Sequence, residues 1–378
     1  MRIGIDAREL MGRPTGVGRY LAELLAAWAQ PPDGAPARHA FVLYGTAPLP
    51  STVADRIRAL RPALRVLPGT GGTAWEQWAL PRAALHDSLD VLFAPAYTAP
   101  LRPRCPVVLT IHDLSYFAHP EWFGWREGLR RRLLTRLAAN RARLVLTDTE
   151  FSRGEIQTRL GLPAVRIEVI PLGAGLPAGL DASRVPAAPA LAPAREPVVL
   201  YVGSVFNRRR VPDLITAFGL VAERIPHARL EIIGENRTFP PQDLVALARA
   251  SAAGDRIRIR SYVAEADLAD AFSRASVFAF LSEYEGFGLP PLEALAAGIP
   301  PVLLDTPVAR EVCGAAARFV APGDVAATAA ALVELLGSAT ARREVLAAAP
   351  SVLSRYAWPA TARRTMEALE AAGAGRHA

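Results

Sequence analysis

Lysine is absent from this chain; all 43 basic side chains are arginine. Without lysine there is no pyridoxal phosphate Schiff base, no Walker-type GK[ST] phosphate loop and no lysine nucleophile. Cysteine is nearly absent. Cys105 and Cys313 lie far apart with no CxxC spacing, and they read as free core thiols. Long apolar runs are missing too. The stretches Val198–Val202 and Val277–Leu281 are strand length, well short of the roughly 20 residues a membrane span needs. The N-terminus MRIGIDAREL carries Arg2 and Asp6 and no apolar signal-peptide region, so a cytoplasmic location is expected. There is no DxD, and no GxGxxG follows the first strand. No metal ion is called for by any motif, and a dinucleotide fingerprint is missing.

What remains is a soluble, globular composition: 378 residues, 51% hydrophobic and 21% charged, enough for two ordinary domains. The net charge of +7 suits an anionic small substrate, nucleic acid or an acidic membrane surface without choosing among them.

MRIGIDA reads as a first strand, and RPTGVGRYLAELLAAWAQ turns through Gly16 and Gly18 into an amphipathic helix. Strand candidates follow at AFVLYG, LRVLPG, DVLFAP, PVVLTIHD, ARLVLTD and IEVIPLG, several separated by helical patterns. The stretch 173–197, rich in Ala, Pro and Gly without period, reads as a linker or long surface loop. The alternation then restarts, from VVLYVGS and VPDLITAFGLVAERI through SVFAFLS, PPLEALAAG and PPVLLD, and WPATARRTMEALEAA reads as a final helix. Strands alternating with helices predict two parallel, doubly wound α/β domains in series, with a ligand cleft at the carboxyl ends of the sheets.

The string EYEGFGLPPLEALAAGIPPV concentrates the chemistry. An apolar strand ends at Ser282 and a loop over Glu285–Leu289 follows, where Gly286 and Gly288 let backbone approach a ligand. Pro290 or Pro291 suits a first helical turn and Gly298 suits its end. The loop is therefore expected to present amides of a helix N-terminus to an anion. Glu293, in the first turn or so, and Glu285, back in the loop, are placed to accept from hydroxyl groups. Arg208 and Arg209, just before a helix starting near Pro212, aim two guanidinium groups and a helix dipole at one anion. His112 ends a strand.

EGFGLPPLEALAAGIPPV resembles the donor-binding motif of the retaining GT-B glycosyltransferases of family 4, and the likeness extends over nearly the whole chain. YVGSVFNRRRVPDLITAF is similar to the family's second donor motif, with Arg208 and Arg209 at its Arg-Lys pair, so arginine stands in for the usual lysine. RPTGVGRY resembles its first glycine loop, and WEQWALP, APAYTAP and TIHDLSYFAHPEWF look like one bacterial mannosyltransferase-like subgroup. The resemblance implies a GT-B fold, two Rossmann-like domains facing a central cleft. Residues 1–173 would form the acceptor side, 174–355 the nucleotide-sugar side, and 356–378 a helix packing back on the first domain.

Carried over residue by residue, the resemblance implies donor contacts from Gly16, Ser204, Arg208, Arg209, Glu285, Gly286, Phe287, Gly288, Leu289 and Glu293. Tyr262 and Val263 would lie against the nucleobase. His112 and Glu285 would flank the transferred sugar as the catalytic residues, and Glu293 would meet the ribose. The implied reaction moves a hexose, mannose from GDP-mannose by subgroup likeness, to a saccharide or lipid-linked saccharide in surface polysaccharide synthesis. No cofactor and no metal are expected beyond the nucleoside diphosphate sugar. Nucleic acid is not an expected partner; peripheral contact with the anionic inner membrane is. The rival readings are a GT-B sugar-nucleotide epimerase and a basic membrane-binding module, the latter suggested by the arginine- and leucine-rich segment Trp125–Arg143.

Overall fold

The computed structural model describes residues 1–12, 15–30, 38–176, 180 and 195–375. Most of the expected linker, and Arg13 and Pro14 of the first glycine loop, lie outside the described residues. The chain divides into two compact units: Met1–Ala118 with Trp125–Gly173 and Tyr356–Ala378, and His119–Gly124 with Ala174–Arg355.

The first unit holds a parallel sheet of β1 (Arg2–Asp6), β2 (Ala40–Gly45), β3 (Ala63–Val66), β4 (Val91–Ala94), β5 (Val107–Thr110), β6 (Leu144–Thr147) and β7 (Ile167–Val169). Their order is β3-β2-β1-β4-β5-β6-β7. The second unit holds β8 (Val198–Val202), β9 (Arg229–Ile233), β10 (Ile257–Arg260), β11 (Val277–Phe280), β12 (Pro301–Leu304) and β13 (Arg318–Val320), ordered β10-β9-β8-β11-β12-β13. Every described ladder is parallel.

The central strands β4, β5, β11 and β12 are buried along their whole length, which is why they read as unbroken apolar runs rather than alternating ones. In each sheet the winding starts in the middle and reverses, between β1 and β4 in one and between β8 and β11 in the other. Ligands of open α/β sheets bind at the carboxyl ends of the strands on either side of that reversal.

Three features depart from the sequence reading. β13 was not expected, being three residues that begin with Arg318 after a run of alanines. Trp75–Ala79 forms a π-helical turn inside WEQWALP. Helix Leu289–Ala296 begins one residue before its first proline, and Glu293 falls in its second turn rather than its first. Both cysteines are buried and neither forms a disulfide, and burial pushes the Cys313 thiol up to about 12. The final helix, Trp358–Ala374, packs on Gly16–Ala29 within the first unit, where Trp28 Nε1 donates to Ala362 O at 2.8 Å. Among the described residues, no single helix is long and apolar enough to cross a membrane.

Candidate functional site

In the second unit, the loops after β8 and β11 meet at the sheet's reversal point and bring four of the expected residues together. Arg209 Nε donates to Glu285 Oε1 at 2.8 Å and its Nη1 donates to the carbonyl of Ser204 at 2.8 Å. Ser282 Oγ donates to the same carboxylate oxygen at 2.9 Å. Arg208 Nε lies 3.9 Å from Glu285 Oε1, with only 11% of its side chain exposed. Phe206 lies beneath the Arg208 guanidinium, 4.4 Å from ring centre to Cζ, and Phe280 beneath that of Arg209 at 4.8 Å.

Two glycines make this packing possible. A Cβ on Gly203, whose φ is +138°, would sit 2.7 Å from Arg209 Nη1, and one on Gly234 would sit 1.9 Å from Gly203 O. The ends of β8 and β9 therefore touch backbone to backbone, and Arg209 lies in the space that leaves.

Burial alone would raise the Glu285 pKa. The facing Arg209 and Arg208 guanidinium groups and the Ser282 hydroxyl reverse this and hold it below its ordinary value. Glu285 is therefore an anion at neutral pH, saturated by Arg209. Arg208 differs: its buried Nε has no hydrogen-bond partner. It meets Glu285 only at ion-pair distance. The third arginine of the run, Arg210, pairs with Asp213 at 2.7 Å and Glu283 at 3.0 Å and braces the start of helix Val211–Arg224.

The helix N-terminus contributes less than its position suggests. Gly288 is its N-cap at φ +95°, a backbone state that side chains disfavour, and a Cβ there would meet nothing within 4 Å. Gly288 is needed for its conformation, and the space beside it is open. Pro290 and Pro291 carry no N–H, so Gly288 and Leu289 supply the only free amides among the first positions. A pocket opens here, lined by Ser282, Glu285, Phe287 and Gly288 and, after β12, by Thr306 and Val312. Gly286 is buried in the same loop, and Glu293 is only 6% exposed. Tyr262 stands apart: it is 71% exposed and, with Val263, follows the edge strand β10, two strands from β8.

Gly16 and His112 belong to the first unit. Gly16 opens helix Gly16–Ala29, whose cap Thr15 accepts from Gly18 N at 2.9 Å. The tight position is Gly18, where a Cβ would lie 2.3 Å from Glu9 O; at Gly16 it would meet nothing within 4 Å. His112 is 9% exposed and both its ring nitrogens are engaged, Nδ1 with Asp148 Oδ2 at 2.8 Å and Nε2 with Pro95 O at 3.0 Å.

A carbonyl only accepts, so Nε2 carries a proton, and one further proton is shared between Nδ1 and the carboxylate. Burial disfavours the imidazolium, but the Asp148 charge and hydrogen bond outweigh it and raise the His112 pKa. His112 is thus a proton-bearing donor rather than a free base. Asp148 was not singled out from the sequence, since an Asp in TDTEFSRGEI carries no local sign that it faces a histidine 36 residues earlier. Also unforeseen is the cluster at the end of β1, where Arg8 pairs with Asp6 at 2.6 Å and with Glu76 of the π-helical turn at 2.7 Å.

The shared proton has a consequence for stability. Between the ordinary histidine value of 6.5 and its raised value, the folded chain binds a proton that the unfolded chain has released. This contribution to stability should therefore be full below 6.5 and be lost as pH rises through that window. Asp148→Asn should flatten the dependence. Urea midpoints measured across this range check it; equal slopes in the two proteins would show that the pair does not hold the proton.

No group of three or more His, Cys, Asp or Glu side chains among the described residues is placed to hold a metal ion.

The class of protein follows from comparison of the whole chain. Sucrose-phosphate synthase from Thermosynechococcus elongatus superposes over 99% of this chain and 100% of its own, with a TM-score of 0.76 at 18% identity. HepE from Anabaena, solved with UDP and glucose, covers 98% of this chain and 100% of its own, with a TM-score of 0.74 at 18% identity. The fold is GT-B, the two-sheet architecture of glycosyltransferases. Family descriptions divide the sequence along the same lines: "Glycosyltransferase Family 4" matches residues 14–175 and "Glycosyl transferases group 1" matches 196–338. The protein is a nucleotide-sugar glycosyltransferase of the family 4 type.

Among its relatives is the O-antigen chain mannosyltransferase B of Escherichia coli, 28% identical over 289 residues that cover 75% of each chain. The GDP-mannose:cellobiosyl-diphosphopolyprenol alpha-mannosyltransferase of Komagataeibacter xylinus is 36% identical over 134 residues, 35% of this chain and 34% of that protein.

Proposed function

We propose that the protein transfers mannose from GDP-mannose, with retention, to a saccharide or lipid-linked saccharide of a bacterial surface polysaccharide, and that it needs no metal ion. The donor and acceptor are supported by the mannosyltransferase relatives, one acting on an O-antigen chain and one named for GDP-mannose and a diphosphopolyprenol-linked acceptor. The observation that carries the site is the Arg208–Arg209–Glu285 cluster at the sheet's reversal point.

In this reading the bond from the anomeric carbon to the diphosphate breaks and the sugar becomes oxocarbenium-like. The leaving oxygen gains charge that Arg208, Arg209 and the Gly288 and Leu289 amides stabilise. The acceptor hydroxyl attacks the same face, forming the new glycosidic bond, and its proton passes to the departing phosphate oxygen. No protein nucleophile or base is required, and Glu285 supplies negative charge beside the sugar. Tyr262 and Val263 take the nucleobase, and Glu293 the ribose.

A thermal-shift panel of nucleoside diphosphate sugars, followed by transfer assays, tests this. GDP-mannose should give the largest shift, since a donor at about 100 times its Kd stabilises by about 2.7 kcal/mol, and turnover should persist in EDTA. A shift with UDP-sugars alone would overturn the donor. Inactivation by EDTA with rescue by Mn²⁺ would overturn the charge argument. Free sugar released without acceptor would point to an epimerase.

A further inference from the structure

The segment His119–Gly124 belongs to the second unit, although the chain before and after it belongs to the first. Its sequence, HPEWFG, turns tightly. Pro120–Trp122 is a single 3₁₀ turn, in which Trp122 N donates to His119 O at 3.2 Å and Phe123 N to Pro120 O at 3.2 Å. Side chains three apart eclipse in that geometry. The His119 and Trp122 rings therefore stack, with centres 3.8 Å apart and planes 13° from parallel. His119 Nδ1 lies 3.1 Å from Glu121 Oε1, a second hold on the imidazole.

The stacked pair meets the loop that carries Glu285. The His119 ring stands edge-on to that of Tyr284, with centres 5.7 Å apart and planes at 76°. Tyr284 is only 6% exposed, and its carbonyl accepts from Ser282 Oγ at 3.3 Å, the hydroxyl that also donates to Glu285. At the other end of the segment, a Cβ on Gly124 would meet Phe239 Cζ at 3.9 Å. Phe239 N donates to Asn207 Oδ1 at 2.6 Å, and Asn207 directly precedes Arg208. The six residues thus rest at one end on the neighbour of Glu285 and at the other on a residue bonded to the neighbour of Arg208.

We propose that His119, stacked on Trp122, is a positioning residue for transfer: it fixes the Tyr284 ring and, through it, the place of the Glu285 carboxylate. Arg209 and Ser282 hold the carboxylate oxygen, but a charge that acts on a developing cation must be placed to within about 0.5 Å, and that requires the backbone bearing it to be held as well. The ring contact at Tyr284 supplies that hold. The inference rests on Glu285 lying at the reacting centre.

Steady-state transfer by the full chain tests it, with GDP-mannose or with the nucleoside diphosphate sugar that gives the largest thermal shift, each variant assayed well below its own unfolding midpoint. His119→Ala should lower kcat about tenfold or more with donor KM little changed. His119→Phe keeps a ring without its nitrogens and should recover most of that loss. His119→Ala combined with Tyr284→Leu should cost less than the product of the two single losses, because both act through one contact. A lowered unfolding midpoint with wild-type kcat in His119→Ala would overturn the proposal by showing a contribution to folding alone. So would His119→Phe as slow as His119→Ala, or losses that simply multiply. Near wild-type turnover in Glu285→Gln would remove the reading on which the proposal rests, whereas a slow Glu285→Gln beside an unimpaired His119→Ala would overturn the proposal alone.

Discussion

Glu285→Gln is expected to lower turnover by about 10²- to 10³-fold at saturating donor and acceptor, the range seen when one preorganised electrostatic contact to a transition state is lost. Only 13% of the Glu285 side chain is exposed, and Arg209 and Arg208 keep it ionised. Glutamine keeps the shape and an oxygen for Arg209 and Ser282, so the variant removes charge with little change in packing. The loss should fall on kcat, because the charge matters most as the sugar becomes cationic. Donor affinity should hold or improve, since Arg209 no longer shares its charge with a carboxylate. The acid side should change as well. A carboxylate with a depressed pKa stabilises the fold above its ordinary value of 4.5 and loses that contribution as pH falls through the depressed value. This part of the acid sensitivity should vanish in the variant. Steady-state kinetics and acid denaturation check both, and near wild-type kcat would put the reacting centre elsewhere.

Arg208 and Arg209 are neighbours and should behave in opposite ways. Arg209→Ala leaves the Glu285 carboxylate buried beside Arg208 alone, at 3.9 Å, and is expected to destabilise the fold by about 3–5 kcal/mol, as loss of one partner of a buried ion pair does. Adding Glu285→Ala should recover part of that, because no unpaired charge remains. Arg208→Ala breaks no hydrogen bond at its buried Nε and loses only the 3.9 Å pairing with Glu285 and the Phe206 contact, so it should cost clearly less stability than Arg209→Ala. It should instead weaken nucleoside diphosphate binding by about 10- to 100-fold, a charge-assisted contact of about 1.5–3 kcal/mol. Chemical denaturation and calorimetry separate the two effects. If Arg209→Ala leaves stability intact while Arg208→Ala loses it, the roles are reversed.

Local pattern carried much of the architecture. Twelve of the thirteen strands correspond to apolar or alternating runs visible in the chain, and the central strands of both parallel sheets read most plainly because they are buried along their whole length. The exception, β13, is three residues at a sheet edge that begin with Arg318 after a run of alanines, so no apolar run marks it, whereas the equally short edge strand β7 lies in the alternating run IEVI. Arg208, Arg209 and Glu285 were singled out together through the likeness of their two motifs to those of family 4, not through spacing.

Pairing between distant residues left no such trace. That Arg209 is neutralised by Glu285 while Arg208 keeps a free Nε follows from how two loops meet across β8 and β11, 76 residues apart for the bonded pair. That His112 already holds Asp148 and Pro95, and so donates rather than accepts, follows from three loops converging at the ends of β4, β5 and β6. Side-chain charge is written in the residue type, but its saturation depends on what the fold places within hydrogen-bond distance, and that is set by sheet order rather than by neighbours along the chain.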